Sequence, residues 1–218
     1  IMRLKNLIIL LSLFMTFSFS GCISEDTDDC IVNTTRLNFS YLADGDQDVL
    51  PQYVNNLTVF IYDSSTGQLI DTKELGLGGK SKAYLELRNL DPGLYSFVVW
   101  GNLSGFSELA NIDQLSKAAI NLKPIKGALQ SLVSSDQLYF ARKDIEIQKV
   151  SNTTIDVLLN SAHVKFDVVV KGLAQMPDLH LSHQIQGFDM NMNEIEGGEV
   201  IGLDPVFEKG EKPNLFRG

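Results

Sequence analysis

The sequence predicts an all-β protein, an antiparallel Greek-key β-sandwich followed by a second unit of the same kind. Three observations predict it. Apolar residues recur with a period of two in several short runs, as half-buried strands require. Between the runs lie turn-forming clusters, Asp63-Ser64-Ser65-Thr66-Gly67, Gly76 to Gly79 and Asp91-Pro92-Gly93. The alternation then restarts after Ser161-Ala162. Short strands joined by such turns bury their apolar faces against one another, which gives a sandwich.

Composition limits the function. The chain has 218 residues, a formal charge of −9, and 44% hydrophobic residues. Two Cys cannot staple a disulfide scaffold, and three His without a Cys cluster speak against a zinc-built enzyme. An acidic balance without a basic stripe speaks against a nucleic-acid partner. The expectation is a non-enzymatic protein with no cofactor, no metal and no small-molecule substrate.

Residues 1–21 read as an address. Met2 reads as the start. Arg3 and Lys5 form a positive n-region, Leu7 to Phe19 is an apolar run, and Ser20 and Gly21 are small. The run is shorter than the roughly 18–20 residues a membrane-crossing helix needs. Phe19-Ser20-Gly21-Cys22 resembles the bacterial lipobox, with Cys22 the lipidation site. Acylation by two or more chains anchors a protein stably. Residues 22–30 form a tether, with acids at Glu25, Asp26, Asp28 and Asp29. Cys30 is left without Cys22 as a partner and reads as a buried apolar residue, a free thiol or an intermolecular disulfide half.

The first sandwich is expected over residues 31–160. Leu37, Phe39 and Tyr41 alternate with polar residues, and Leu57 to Tyr62 is apolar on both faces and therefore central. Ala83 to Leu87, Leu94 to Trp100 and Ile155 to Leu159 are further strands. Leu103 to Leu132 reads as a long crossover, with a short helix over Ser107 to Ala119 that puts Leu109, Ile112 and Leu115 on one face. The second unit occupies residues 161–218. It opens with the Val164 to Val170 alternation and ends in a Gly- and Pro-rich tail without a closing strand, so it reads as truncated.

Several motifs resemble sites and fail on spacing. Gly76 to Ser81 ends like a phosphate loop, but Glu74 stands at the first required Gly and a strand follows. Asp44-Gly45-Asp46-Gln47-Asp48 opens like a calcium loop, but Val49 and Asn55 stand at its sixth and twelfth positions, which leaves an acidic turn and at most a weak calcium site. His180 and His183 point to opposite faces of a strand. Trp100 and the tyrosines read as core, with a glycan platform as the alternative.

Taken in order, the motifs resemble the FimB-like fimbrial anchor and accessory lipoproteins of Bacteroidetes. The carriers are Cys22, Asp28-Asp29-Cys30, Leu37 to Tyr41 and Leu57 to Asp63 before the Gly67 turn. Leu90 to Tyr95 then leads into Phe97 to Asn102, followed by Asp136 to Phe140, Val157 to Leu159, Ala162 to Phe166 and Lys171 to Leu173. Asn160 and Ala141 depart from the basic residue and the Gly that members often carry there. The resemblance implies two transthyretin-like sandwich domains in tandem and an outer-membrane lipoprotein, exposed at the surface, that anchors or regulates fimbriae in cell adhesion. Its implied partners are fimbrial subunits, met by strand addition. The acidic run after Cys22 resembles the surface-export signal of such lipoproteins. The alternatives are a surface glycan-binding lipoprotein and a stalk or tip fimbrillin, for which Arg36 marks a protease cut that would free the first strand.

Overall fold

A computed structural model describes residues 32–79, 82–122, 136–163, 169–172, 185–195, 208–209 and 215–217. The chain divides into two units, Ile1–Cys30 and Ile31–Gly218. All described residues lie in the second, and their regular secondary structure is almost entirely strand, as the sequence predicts.

The central layer is a sheet in the order β10-β8-β5-β2-β3. Its members are β2 (Asn56–Asp63), β3 (Leu69–Gly76), β5 (Gly93–Gly101), β8 (Tyr139–Ile147) and the two-residue β10 (Asn160–Ser161). All its pairings are antiparallel. One face packs against a sheet of β4 (Ala83–Arg88), β1 (Val32–Ser40) and β9 (Val150–Leu158), in that order. Leu37, Phe39, Leu87 and Val157 from this sheet meet Leu57, Val59, Ile61, Phe97 and Val99 from the central one. The β1–β9 pair is parallel, a departure from the all-antiparallel expectation. Parallel neighbours need only a long connection, and most of the sandwich lies between these two strands in sequence.

The opposite face of the central sheet is covered as well. Phe60, Tyr62, Val98, Trp100 and Phe140 point that way and pack with Ile120, Phe188 and Met190. The covering sheet runs β13 (Glu194–Ile195), β12 (Gly187–Asp189), β7 (Ala119–Leu122), β6 (Ser107–Ala110). This third layer explains why β2 and β5 are apolar on both faces: six consecutive residues of β2 are buried. Gly187 allows the layer to close, because a Cβ there would run into the Ile120 carbonyl.

The expected helix over Ser107 to Ala119 is not present. Those residues form β6, a turn and the start of β7, and Ser107 pairs with Leu122. Asn111 takes a left-handed backbone (φ 50°), and Leu109 is exposed while Ile112 and Leu115 stay partly buried. Hairpin pairing outcompeted a helical stripe only three apolar residues long. The one helix among the described residues is α1 (Leu50–Tyr53), a single turn. Beyond residue 172, β14 (Glu208–Lys209) pairs with β15 (Leu215–Arg217), which also pairs with β11 (Val169–Lys171).

Candidate assembly surface

A sheet can recruit a partner chain only through backbone groups that its own strands leave unpaired. The sheet β4-β1-β9 is therefore the natural place to look. Its middle strand is firmly held. Asn33, at the start of β1, is 2% exposed. Its Nδ2 donates to the carbonyls of Leu90 (2.7 Å) and Gln148 (3.1 Å), and its Oδ1 accepts from the Leu90 N–H (2.9 Å). One buried amide thus ties β1 to the turn before β5 and to the turn between β8 and β9. The Leu90 to Tyr95 motif has a related purpose. The Tyr95 hydroxyl donates to the Asp91 carbonyl at 2.7 Å and closes the same turn over Pro92-Gly93.

Both outer strands of this sheet leave one side unpaired among the described residues. They differ in how the open side is guarded. β4 carries Glu86 and Arg88, joined as an ion pair at 2.6 Å. β3, an edge of the central sheet, carries Asp71 and Lys73, also paired at 2.6 Å. β8 is covered by β10 only at Tyr139 and Phe140, and its remainder carries Arg142, Lys143, Asp144 and Glu146. Charged edges disfavour pairing with another chain. β9 is the exception: over nine residues, Val-Ser-Asn-Thr-Thr-Ile-Asp-Val-Leu, it has one charge and no Pro. Val150 and Leu158 at its two ends are 70% and 45% exposed. Sequence alternation identified β9 as a strand, but its position at an edge follows from pairings over long sequence separations.

The residues singled out from sequence fall as follows. Cys22, Cys30, His180 and His183 lie outside the described residues. Trp100 is fully buried and packs on Phe140 and Phe188 at ring separations of 4.9 and 5.9 Å, so it is core and cannot serve as a glycan platform. Asp48 is engaged by the backbone of its own loop. Its Oδ1 accepts from the N–H groups of Tyr41 (3.1 Å) and Leu50 (3.0 Å) and shapes the entry to α1. The described part of the Gly76 to Ser81 segment connects β3 to β4, and a strand follows as expected. Among the described residues no group of His, Cys, Asp and Glu is placed to hold a metal ion. Arg36 lies in the middle of β1, paired across to Glu86 on one side and Thr154 on the other. A cut there would split the central strand, leaving Leu37 to Ser40 in place, and would not free it whole.

Comparison with known proteins adds three findings. The family model described as "Fimbrillin-A associated anchor proteins Mfa1 and Mfa2" matches residues 26–198. No curated protein matches the chain. Among solved structures, putative polysaccharide binding proteins from Bacteroides thetaiotaomicron align with a TM-score of 0.67 at 12% identity, over 87% of this chain and 70% of that one. A putative adhesin from Bacteroides ovatus aligns with a TM-score of 0.65 at 17% identity, over 85% and 67%. The fimbrial anchor protein Mfa2 from Porphyromonas gingivalis aligns with a TM-score of 0.64 at 15% identity, over 85% and 71%. At these identities the structural likeness is one of fold.

Proposed function

Since the chain belongs to the family of fimbrillin-A associated anchor proteins, which makes it a fimbria-associated, adhesion-type protein of the cell envelope, we propose that it is an outer-membrane lipoprotein that anchors fimbriae or regulates their assembly. Acylated Cys22 provides the membrane hold, residues 22–30 the tether, and the β-sandwich the contact with fimbrial subunits. The tandem arrangement, with one domain over residues 31–160 and a second beginning at residue 161, belongs to the same proposal. So does the view that the chain works by binding and not by catalysis.

The observation that carries the reading is the family match over most of the chain, joined to the unguarded edge of β9. A subunit strand laid along β9 would satisfy the N–H and C=O groups that β1 leaves unpaired on the other side. Val150 and Leu158 would then be covered at the two ends of the contact.

The test is replacement of Cys22 by Ala in the producing cell, followed by fractionation of fimbriae. The expected result is fibres shed into the medium or altered in length, with the variant chain no longer in the outer-membrane fraction. Fibres that stay cell-bound at unchanged length would overturn the anchor reading. The mature N-terminus is a second check: mass spectrometry should find acylated Cys22, and a mature chain starting at Leu37 would favour a stalk or tip subunit.

A further inference from the structure

The solvent face of the sheet β4-β1-β9 holds a pocket of about 470 Å³, open on one side. That volume is in the range of small-molecule sites. Its floor is built by register. β1 sets Arg36 opposite Thr154 and Asn38 opposite Asp156, and β4 sets Tyr84 opposite Asn38. Asp48 and Lys82 complete the rim.

The hydrogen-bonding capacity inside this pocket is only partly used. The Arg36 guanidinium lies over the Tyr84 ring, 3.9 Å from its centroid, and its Nε donates to Asn38 Oδ1 at 3.1 Å. Its cross-strand neighbour Glu86 is engaged by Arg88, whose Nε and Nη2 donate to Glu86 Oε1 at 2.8 and 2.6 Å. Arg36 is thus held in one orientation while its terminal N–H groups have no acceptor among the described residues. Lys82 likewise has no acceptor there. On the acceptor side, Asp156 Oδ1 takes the Asn38 Nδ2–H at 3.2 Å and Asp48 Oδ1 takes two backbone N–H groups, which leaves one oxygen of each carboxylate without a donor. Tyr84 remains 49% exposed beside them.

A ligand that fits must therefore accept from two cations and donate to two carboxylates within one small space. A phosphate brings up to two negative charges and at most one or two P–O–H donors at neutral pH, and would stand against Asp48 and Asp156. An acidic peptide side chain offers a carboxylate and no neighbouring hydroxyls. A sugar acid offers both: a planar carboxylate for the guanidinium fork, where two parallel bonds are possible, and ring hydroxyls that donate to the carboxylates. Its C–H face can rest on the exposed part of Tyr84.

We propose that this pocket binds a uronic-acid unit of a saccharide, with the carboxylate on Arg36 and Lys82 and the hydroxyls donating to Asp48 and Asp156. The site does not depend on the fimbrial reading. It is linked to it in one respect: Arg36 and Asn38 ride on β1, so any displacement of β1 would dismantle the site.

The test is titration of the full chain, in detergent micelles, with digalacturonic acid, its dimethyl ester, a Glu-containing peptide and inorganic phosphate, read by calorimetry. The expected result is saturable binding of the free acid that falls about ten- to hundredfold for the ester and for Arg36→Ala, the loss of a charge-assisted bond. Arg36→Lys should also weaken it, because the charge stays but the fork and the ring stacking go. Should Arg36→Ala unfold the chain, Lys82→Ala, at an exposed rim position, should reduce binding with the melting temperature unchanged. No binding at about 10 mM acid, equal binding of acid and ester, or equal or tighter binding of the peptide or of phosphate would each overturn the proposal. Failure of these titrations would leave the Cys22→Ala result untouched, so the two readings stand or fall separately.

Discussion

Asn33 and Trp100 are opposite kinds of buried residue, and their substitutions should behave differently. Asn33, itself buried, makes three hydrogen bonds to backbone groups of Leu90 and Gln148. Asn33→Ala should cost about 2–3 kcal/mol in a urea melt, since it leaves Leu90 and Gln148 groups unpaired. Trp100 Nε1–H is buried without a partner among the described residues. Trp100→Phe should therefore cost little beyond lost contact area, whereas Trp100→Ala should cost about 3–5 kcal/mol because a cavity opens between two layers. A Trp100→Phe as damaging as Trp100→Ala would contradict that reading. Tyr62 and Tyr139 give the pH dependence. Burial, and then Asp113, pushes the Tyr62 hydroxyl up to about 12; burial, and then Tyr41 and Tyr53, does the same for Tyr139. The folded state holds these protons more tightly than the unfolded chain, whose tyrosines titrate near 10. The stabilisation is complete below pH ~10 and is lost as pH rises from there towards 12. Alkaline denaturation followed by tyrosinate absorbance should show one cooperative step in that window, moved to higher pH in the double variant Tyr62→Phe/Tyr139→Phe.

At the scale of the element, turns were easier to read than pairings. Asp63 to Gly67 was legible because its chemistry is local. The backbone N–H groups of Thr66 and Ser65 donate to the Asp63 carboxylate and hold its pKa below the usual range, and Gly67 takes φ 71°. β6 was missed because the spacing of Leu109, Ile112 and Leu115 fits a helix equally well, and only the pairing with β7 decides. The open edge of β9 leads to a prediction that bears on assembly alone. Val150→Lys with Leu158→Lys adds charge at exposed positions, so stability should change by no more than about 0.5 kcal/mol per site. Recovery of fimbrial subunits with the chain should drop, as a charged edge resists strand addition. Undiminished recovery would move the contact elsewhere.

Within the second unit the described strands of the sandwich are layered: three-stranded sheet, central sheet, covering sheet. The third layer uses chain from beyond residue 160, and Phe188 and Met190 share a cluster with Trp100 and Ile120. Gly187→Ala should drive a methyl group into the Ile120 backbone and lift β12 from β7. Hydrogen exchange should then show lost protection over β7 and β12 while β1 and β9 keep theirs; uniform loss would mean that the layers unfold as one.

Much of this was present in the one-dimensional pattern. Period-two alternation and turn chemistry are local properties, so the sequence by itself determined that the chain is all-β, where β1, β2, β4, β5 and β9 lie, and that β2 is buried on both sides; β3 and β8, whose apolar alternation is weaker, emerge only in the folded sheet. The order of its short motifs pointed to the fimbrial anchor family that the family match then showed. Alternation states which side of a strand is apolar, but it does not state which strand lies next to it. Pairing is settled by packing between residues far apart in sequence, and only the tertiary structure decided that β9 is an edge, that β1 runs parallel to it, and that Trp100 is sealed under a third layer. The same holds for the pocket over Arg36: its members come from three strands and two loops, and no spacing along the chain brings them together.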